Sequence, residues 1–250
     1  MKRFLCVLFT VLCAFSTFGC SGFYDAPEPF RYYEYRSKSV FGNGITFIAA
    51  VRGGDEKKAL DEMYELAEDI NSDMSLTLSS SALSMFNSLG EGQEYFDGYA
   101  SERVEVSRRT YELIERSLSF YEDTYGLFNI AVYPLTKLWN VDAEGIGRYG
   151  QFGGEQPPEL PSEETVEYTR KACEITHLKT MCDDGKYYIY KTHPGMMIDL
   201  GAVAKGYAAD ECIKIAKKYG VTSALINISG NLCLMGKWYH PQYRRYVPWE

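Results

Sequence analysis

The sequence predicts a globular protein of interleaved helices and strands. Three observations predict it. Of 250 residues, 46% are hydrophobic and 24% charged, a mix that excludes disordered and collagen-like chains. Several stretches repeat apolar residues at helical spacing, and several short apolar runs have the length of strands. The length suits one large domain or two small ones with a sizeable core. A net charge of −8 argues against general nucleic-acid binding, which needs a basic face for phosphates.

The chain opens on a targeting segment. Lys2 and Arg3 precede an uncharged run over 4–19, too short and too abruptly polar afterwards for a membrane span. Residues 1–19 therefore read as a signal peptide. Cys20 follows that run and Gly19, as at a lipoprotein cleavage site; the alternative is ordinary secretion. Acyl chains on Cys20 would anchor the mature protein stably to a membrane. Residues 20–40 are polar, Tyr-rich and unpatterned, and read as a tether.

Residues 44–51 read as a strand. Over 55–73, Leu60, Met63, Ala67 and Ile70 fall at helical spacing, with acids in the first turns. The Ser-rich stretch 75–87 breaks that helix. Ser107 caps the next, with Tyr111, Ile114, Leu118, Tyr121 and Tyr125 on one face and Gly126 as its stop. Residues 140–161 read as a long Gly- and Pro-rich loop, and Ser162 starts a further helix. Residues 186–191 and 196–199 read as a strand pair around His193-Pro194-Gly195. A helix covers 207–219. A buried strand at 223–228 turns at Gly230-Asn231 into another strand. Cys173 and Cys182 are candidates to pair across a helix-to-strand corner; Cys212 and Cys233 read as small buried hydrophobes. No CxxC or HExxH pattern marks a zinc site.

The richest stretch for chemistry is 198–210, IDLGAVAKGYAAD. A strand ends at Asp199, a small-residue turn follows, and Lys205-Gly206 opens a helix. That geometry aims backbone N–H groups and a lysine at an anion such as a phosphate. The other reading is a plain helix start, with Asp199 on turn amides and Lys205 in water. The stretch INISGN (226–231) is either a ligand-approaching turn or an ordinary one. The aromatics of 124–139 either stack on a planar ring or fill core.

Together these stretches resemble one family. Ser75, Ser81, Leu83 and Asn87 come first. Gly126-Leu127-Phe128-Asn129 follows, with Pro134 to Trp139, then the DLGAVAKG block and the Gly230-Asn231 turn. This order resembles the ApbE family of FAD:protein FMN transferases over roughly 41–238. The resemblance implies a single α+β domain over 41–250, with a mixed or antiparallel sheet flanked by helices. It implies that Asp199 and Lys205 contact FAD and that Lys205 is catalytic. Leu127, Phe128 and Asn129 would lie on the flavin, with Asn129 in place of the family's Asp. Thr77 stands where the family stacks a Tyr. Phe41 starts the first-strand motif, and Gly230 and Asn231 form the glycine turn. The Ala202 carbonyl would be a ligand of Mg²⁺.

The implied reaction is Mg²⁺-dependent transfer of FMN from FAD to a Thr or Ser of a target protein, with release of AMP. The implied setting is an exported, membrane-anchored lipoprotein on the extracytoplasmic side. The family continues past the position of Glu250 with a D-x-L-x-T segment that holds Mg²⁺, so the domain reads as C-terminally incomplete. The second reading is therefore a non-catalytic flavin-binding surface lipoprotein or an inactive remnant.

Overall fold

The computed structural model describes residues 31–37, 45–139, 141, 160–240, 242–243 and 245–249. Cys20, Phe41 and most of the 140–161 loop lie outside the described residues.

Helix α1 (Glu56–Met74) starts at Asp55, whose carboxylate accepts the Lys58 N–H at 3.3 Å. It buries one stripe, including Leu60, Met63, Ile70 and Met74, as its period demands. Ser75 ends it in extended backbone. The next stretch is more than a break. The buried Ser75 hydroxyl accepts the N–H groups of Thr77 and Leu78 at 3.2 and 3.0 Å. Ser81 then caps a short helix α2 (Ala82–Ser88), accepting the Ser84 N–H at 3.0 Å. Serines favour such caps because their hydroxyls satisfy orphan amides.

Helix α3 (Arg108–Asp123) is capped by Ser107, which accepts the Thr110 N–H at 3.1 Å. Its buried residues are Thr110, Leu113, Ile114 and Ser117, a stripe rotated from the expected tyrosine face. Two of these are polar and satisfied locally: Ser117 donates to the Leu113 carbonyl at 2.7 Å. Tyr111, Leu118 and Tyr121 flank the core, whereas Tyr125 leaves the helix at φ +53° and is 96% exposed. Short helices α4 (Tyr133–Leu138) and α5 (Glu163–Ala172) follow, the second capped by Ser162. Helix α6 spans Gly201–Lys218.

The strands form three antiparallel groups. The largest sheet has the order β1-β2-β6-β7, from β1 (Arg31–Ser37), β2 (Ile45–Arg52), β6 (Ser223–Ile228) and β7 (Asn231–Met235). Thus part of the stretch read as a tether is an edge strand, with Arg31 opposite Val51. Helices α1 and α6 pack on this sheet and on each other. The small buried residues Ala204, Ala208, Cys212 and Ala216 bring α6 close to its neighbours. A second sheet has the order β3-β5-β4, from β3 (Val104–Val106), β4 (Leu178–Asp183) and β5 (Lys186–Lys191). Strands β8 (Lys237–His240) and β9 (Arg245–Pro248) pair as a hairpin.

The partner of β5 differs from expectation. Strand β5 pairs with β4 across Asp184-Gly185, both at positive φ, the two-residue turn that suits antiparallel twist. Residues 196–199 form no strand, because their backbone groups are claimed individually. The Asn87 amide donates to the Ile198 carbonyl at 2.9 Å and accepts the Ile198 N–H at 2.8 Å. The Lys191 ammonium donates to the Met196 carbonyl at 2.6 Å. The Asp199 N–H donates to the Ile130 carbonyl at 2.9 Å. No ladder donors remain for a strand partner at Ile198 and Asp199.

Cys173 and Cys182 are free, one buried and the other exposed, so the expected pairing is absent from the structure. Burial pushes the Cys212 thiol up to about 12, consistent with a small buried hydrophobe. Cys233 is only half-buried.

His193 is 2% exposed. Burial, with the nearby charges of His177 and Lys191, lowers its pKa to about 4, below the usual value near ~6.5. The unfolded chain binds this proton first as pH falls, so His193 contributes stability above pH ~6.5 that is lost toward pH ~4. Unfolding in urea at pH 7, 6 and 5 checks this. Stability falls with pH, and His193→Phe flattens the slope; an unchanged slope in the variant contradicts it.

Candidate functional site

The Asp199 corner is built by short-range chemistry. The Asp199 N–H is held by Ile130, which places Asp199 beside the segment that follows Leu127, Phe128 and Asn129. Its Oδ1 accepts the Gly201 N–H at 2.7 Å. A Cβ at position 201 would come within 3.0 Å of that oxygen, so glycine lets the carboxylate fold back on the chain. Burial raises the Asp199 pKa, opposed by the Gly201 hydrogen bond and the positive charge of Lys205. The structure thus brings Asp199 and Lys205 into electrostatic contact.

The helix starts earlier than expected. Residue Gly201, not Lys205, opens α6, so Lys205 sits in the second turn. The first-turn amides are largely spent: Gly201 on Asp199, and Val203 and Ala204 on the Leu200 carbonyl. The expected crown of N–H groups is reduced to Ala202, which is exposed. Positive potential at this end comes instead from the helix dipole and Lys205. Lys205 makes no hydrogen bond or ion pair with any described residue.

The β6–β7 turn lies at the same end. Helix α6 runs into β6 through a tight connection and packs on it, so the helix start and the strand end are neighbours. Ser229 and Gly230 both have positive φ, and Ile228 pairs with Asn231, the signature of a two-residue hairpin turn. The Cys233 thiol lies 3.6 Å from Asp210 Oδ1, which registers β7 against α6. Asn231 is about 7 Å further along the strand, or roughly four to five helical residues. That level is reached at Lys205 and Gly206. Gly206 is one turn before Asp210 on the same face, and a Cβ built there meets nothing within 4 Å. Open space therefore faces the turn from a glycine whose helix interior position costs about 1 kcal/mol against alanine.

The aromatic segment is half committed to structure. Leu127 is 91% exposed. Phe128 is half-buried and meets Phe120 edge-on at 5.9 Å. Asn129 Oδ1 accepts the Ala131 N–H at 2.8 Å, and its amide donates to the Cys173 carbonyl at 2.9 Å. An Asp could make the first bond but not the second, which accounts for the amide here. Thr77 is exposed, its hydroxyl 3.3 Å from that of Ser75. A cavity of about 520 Å³ is lined by Leu76, Asn87, Tyr133, Lys137 and Met197 among others, but not by Asp199 or Lys205.

The metal expectation meets a shortage of donors. Among the described residues no group of three or more His, Cys, Asp or Glu could hold a metal ion. Mg²⁺ demands near-octahedral oxygen with carboxylate charge. The Ala202 carbonyl and an Asp199 carboxylate already bound to Gly201 do not make that set.

Sequence reasoning missed the role of Asn87 and Lys191 behind the corner. Asn87 belongs to the family motif, but nothing in its local sequence points 111 residues ahead to Ile198.

The ApbE family model matches residues 41–250. The chain is 29% identical over 181 residues to the FAD:protein FMN transferase of Treponema pallidum, covering 71% of this chain and 44% of that protein. It is 26% identical over 193 residues to the Escherichia coli K12 protein of the same name, covering 76% and 49%. It therefore spans about half the length of these relatives. Among solved structures, the Pseudomonas stutzeri flavinyl transferase ApbE in its apo form aligns with TM-score 0.62 at 22% identity, over 89% of this chain and 67% of that one. The Vibrio cholerae flavin transferase ApbE aligns with TM-score 0.61 at 21% identity, over 88% and 68%. The fold of antiparallel sheets and helices is the one seen in those structures, and with the family model matched from residue 41 to residue 250 the chain belongs to the ApbE family.

Proposed function

We propose that this protein binds FAD by its diphosphate at the Asp199–Lys205 corner and transfers FMN to a Thr or Ser hydroxyl of a target protein. The observation that carries the reading is Lys205, a cation without a hydrogen bond or ion pair among the described residues, close enough to Asp199 to lower its pKa and level with open space at Gly206. The relatives' name, FAD:protein FMN transferase, supplies the substrate. In the reaction the hydroxyl oxygen bonds to the FMN phosphorus, the bond from that phosphorus to the AMP oxygen breaks, and the hydroxyl proton is released. Lys205 stabilises the negative charge that gathers on the phosphoryl oxygens, a role that depends on position more than covalent chemistry. Asp199 fixes the helix start that carries Lys205. The half-exposed 127–129 segment offers an apolar surface to the flavin ring. Mg²⁺ dependence needs carboxylate donors beyond those of the described residues.

The donor shortage favours a second reading, a flavin-binding protein without transferase activity. One experiment separates them. The chain is incubated with FAD, a Thr-bearing target domain, and Mg²⁺ or EDTA, and the target is scored for covalent flavin fluorescence. The transferase reading expects labelling with AMP release, and a loss of at least about tenfold in Lys205→Ala. FAD binding without labelling selects the second reading. Neither binding nor labelling overturns both.

Export and a lipid anchor at Cys20 belong to the same proposal and rest on residues 2–20 of the sequence. Cys20→Ser is expected to move the protein from the membrane fraction to the soluble one. An unchanged distribution counts against the anchor.

A further inference from the structure

Among the described residues Lys191 is the one lysine, arginine or carboxylate that is buried, at 0% exposure. Its ammonium pairs with no described carboxylate. It donates to the main-chain carbonyls of Met196 and Asn87 at 2.6 and 3.3 Å and lies 5.2 Å from the Phe86 ring centroid. The Asn87 carbonyl belongs to the last turn of α2, where carbonyls lack helical partners and the helix dipole favours a cation.

The stem of this lysine is fixed as well. The Lys191 N–H donates to the Ser101 hydroxyl at 3.0 Å, and the Ser101 N–H donates to the Lys191 carbonyl at 2.9 Å. Lys191 also faces Leu178 in the β4–β5 pairing. The ammonium thus joins two segments from a third: β5 supplies it, and α2 and the 196–199 strap receive it. Further along that strap Ile198 bonds to Asn87, Asp199 to Ile130 and Gly201 to Asp199, and α6 with Lys205 begins.

A buried lysine without a carboxylate is a poor way to stabilise a fold. Burial disfavours its charged form and lowers the Lys191 pKa to about 8, with the Glu91 charge opposing. The other titratable group that feels the ammonium is His193, itself kept neutral by burial. A methionine would fill a similar volume without that cost. What methionine cannot do is hold two carbonyls of separate segments together.

We propose that Lys191 is a positioning residue, whose buried ammonium clasps the 196–199 strap to the end of α2 and so sets the Asp199–Lys205 geometry used in transfer. The link to transfer rests on the flavin reading above; the clasp does not.

The whole chain, as wild type and as Lys191→Met, tests this through three readouts. In hydrogen exchange, the Ile198 and Asp199 amides of the variant lose about tenfold or more of their protection while its far-UV spectrum is unchanged. In urea unfolding from pH 8 to 10, the unfolded chain keeps the lysine proton toward 10.5 while the folded chain releases it near 8. Wild type therefore gains stability relative to the variant as pH rises, by up to about tenfold in the unfolding constant per pH unit. In flavin transfer at saturating FAD, turnover per folded molecule falls at least about fivefold in the variant, whereas a lysine serving only the fold would leave it unchanged. If wild type neither binds nor transfers flavin, the flavin reading falls and the first two readouts still decide the clasp. Unchanged protection at Ile198 and Asp199 overturns the clasp. So does a variant that fails to fold, because the lysine then holds the whole domain. The same pH dependence in both proteins overturns the buried ammonium, and unchanged turnover beside lost protection overturns the positioning role.

Discussion

The two hydrogen bonds between the Asn87 side chain and the Ile198 backbone are the constraint on which the site depends. They replace a strand partner for the segment that ends at Asp199. A side-chain amide can do this because it carries both a donor and an acceptor in one plane. Lys191 works on the same strap from the other side. Its ammonium, fully buried, bonds to Met196 and Asn87 carbonyls at 2.6 and 3.3 Å and lies 5.2 Å from the Phe86 ring centroid. Burial lowers its pKa to about 8. A lysine is kept out of water here only because the chain's own carbonyls receive it. The result is a rigid approach to α6, so that Asp199 and Lys205 keep one relative geometry.

From this constraint follows the division of labour at the corner. Asp199 spends a hydrogen bond on Gly201, and the positive charge of Lys205 opposes the rise that burial gives its pKa, without forming an ion pair with it. Three first-turn amides are satisfied within the chain. What remains outward is a cation, a dipole and an uncovered glycine face. That combination attracts an anion without specifying one. Specificity has to come from neighbouring apolar surface, such as the exposed Leu127 and half-buried Phe128. An electrostatic seat with separate apolar recognition is a common arrangement for ligands that join a charged middle to planar ends.

Much of this was legible in the sequence. The starts of α3 and α5 follow from Ser107 and Ser162, whereas the Asp55 cap of α1 is seen only in the structure. The buried β6 strand and its turn follow from SALINI and Ser229-Gly230. The corner was visible because small residues and a lysine cluster within one helical turn. The β4–β5 hairpin was also legible, since Asp184-Gly185 lies between two alternating runs, but the neighbouring His-Pro-Gly turn competed for the same strand. Other features were hidden for a physical reason. Asn87 holds Ile198 across 111 residues, and Lys191 joins the nearby Met196 carbonyl to that of Asn87, 104 residues before it, so only the folded chain shows what they hold. A cavity of about 630 Å³ lined by Tyr95, Tyr168, His177 and His193 joins separate segments, none with a local signature. The tyrosine stripe of α3 misled because Thr110 and Ser117 are buried by satisfying their hydroxyls locally, which apolar periodicity does not register.

Hydrogen exchange at the Ile198 and Asp199 amides tests the central claim most directly, compared between wild type and Asn87→Ala with the far-UV spectrum held as a check on fold. The strap account predicts that the variant stays folded while the Ile198 amide loses about two orders of magnitude of protection, the equivalent of roughly 2–3 kcal/mol. An Ile198 amide as protected in Asn87→Ala as in wild type would contradict it.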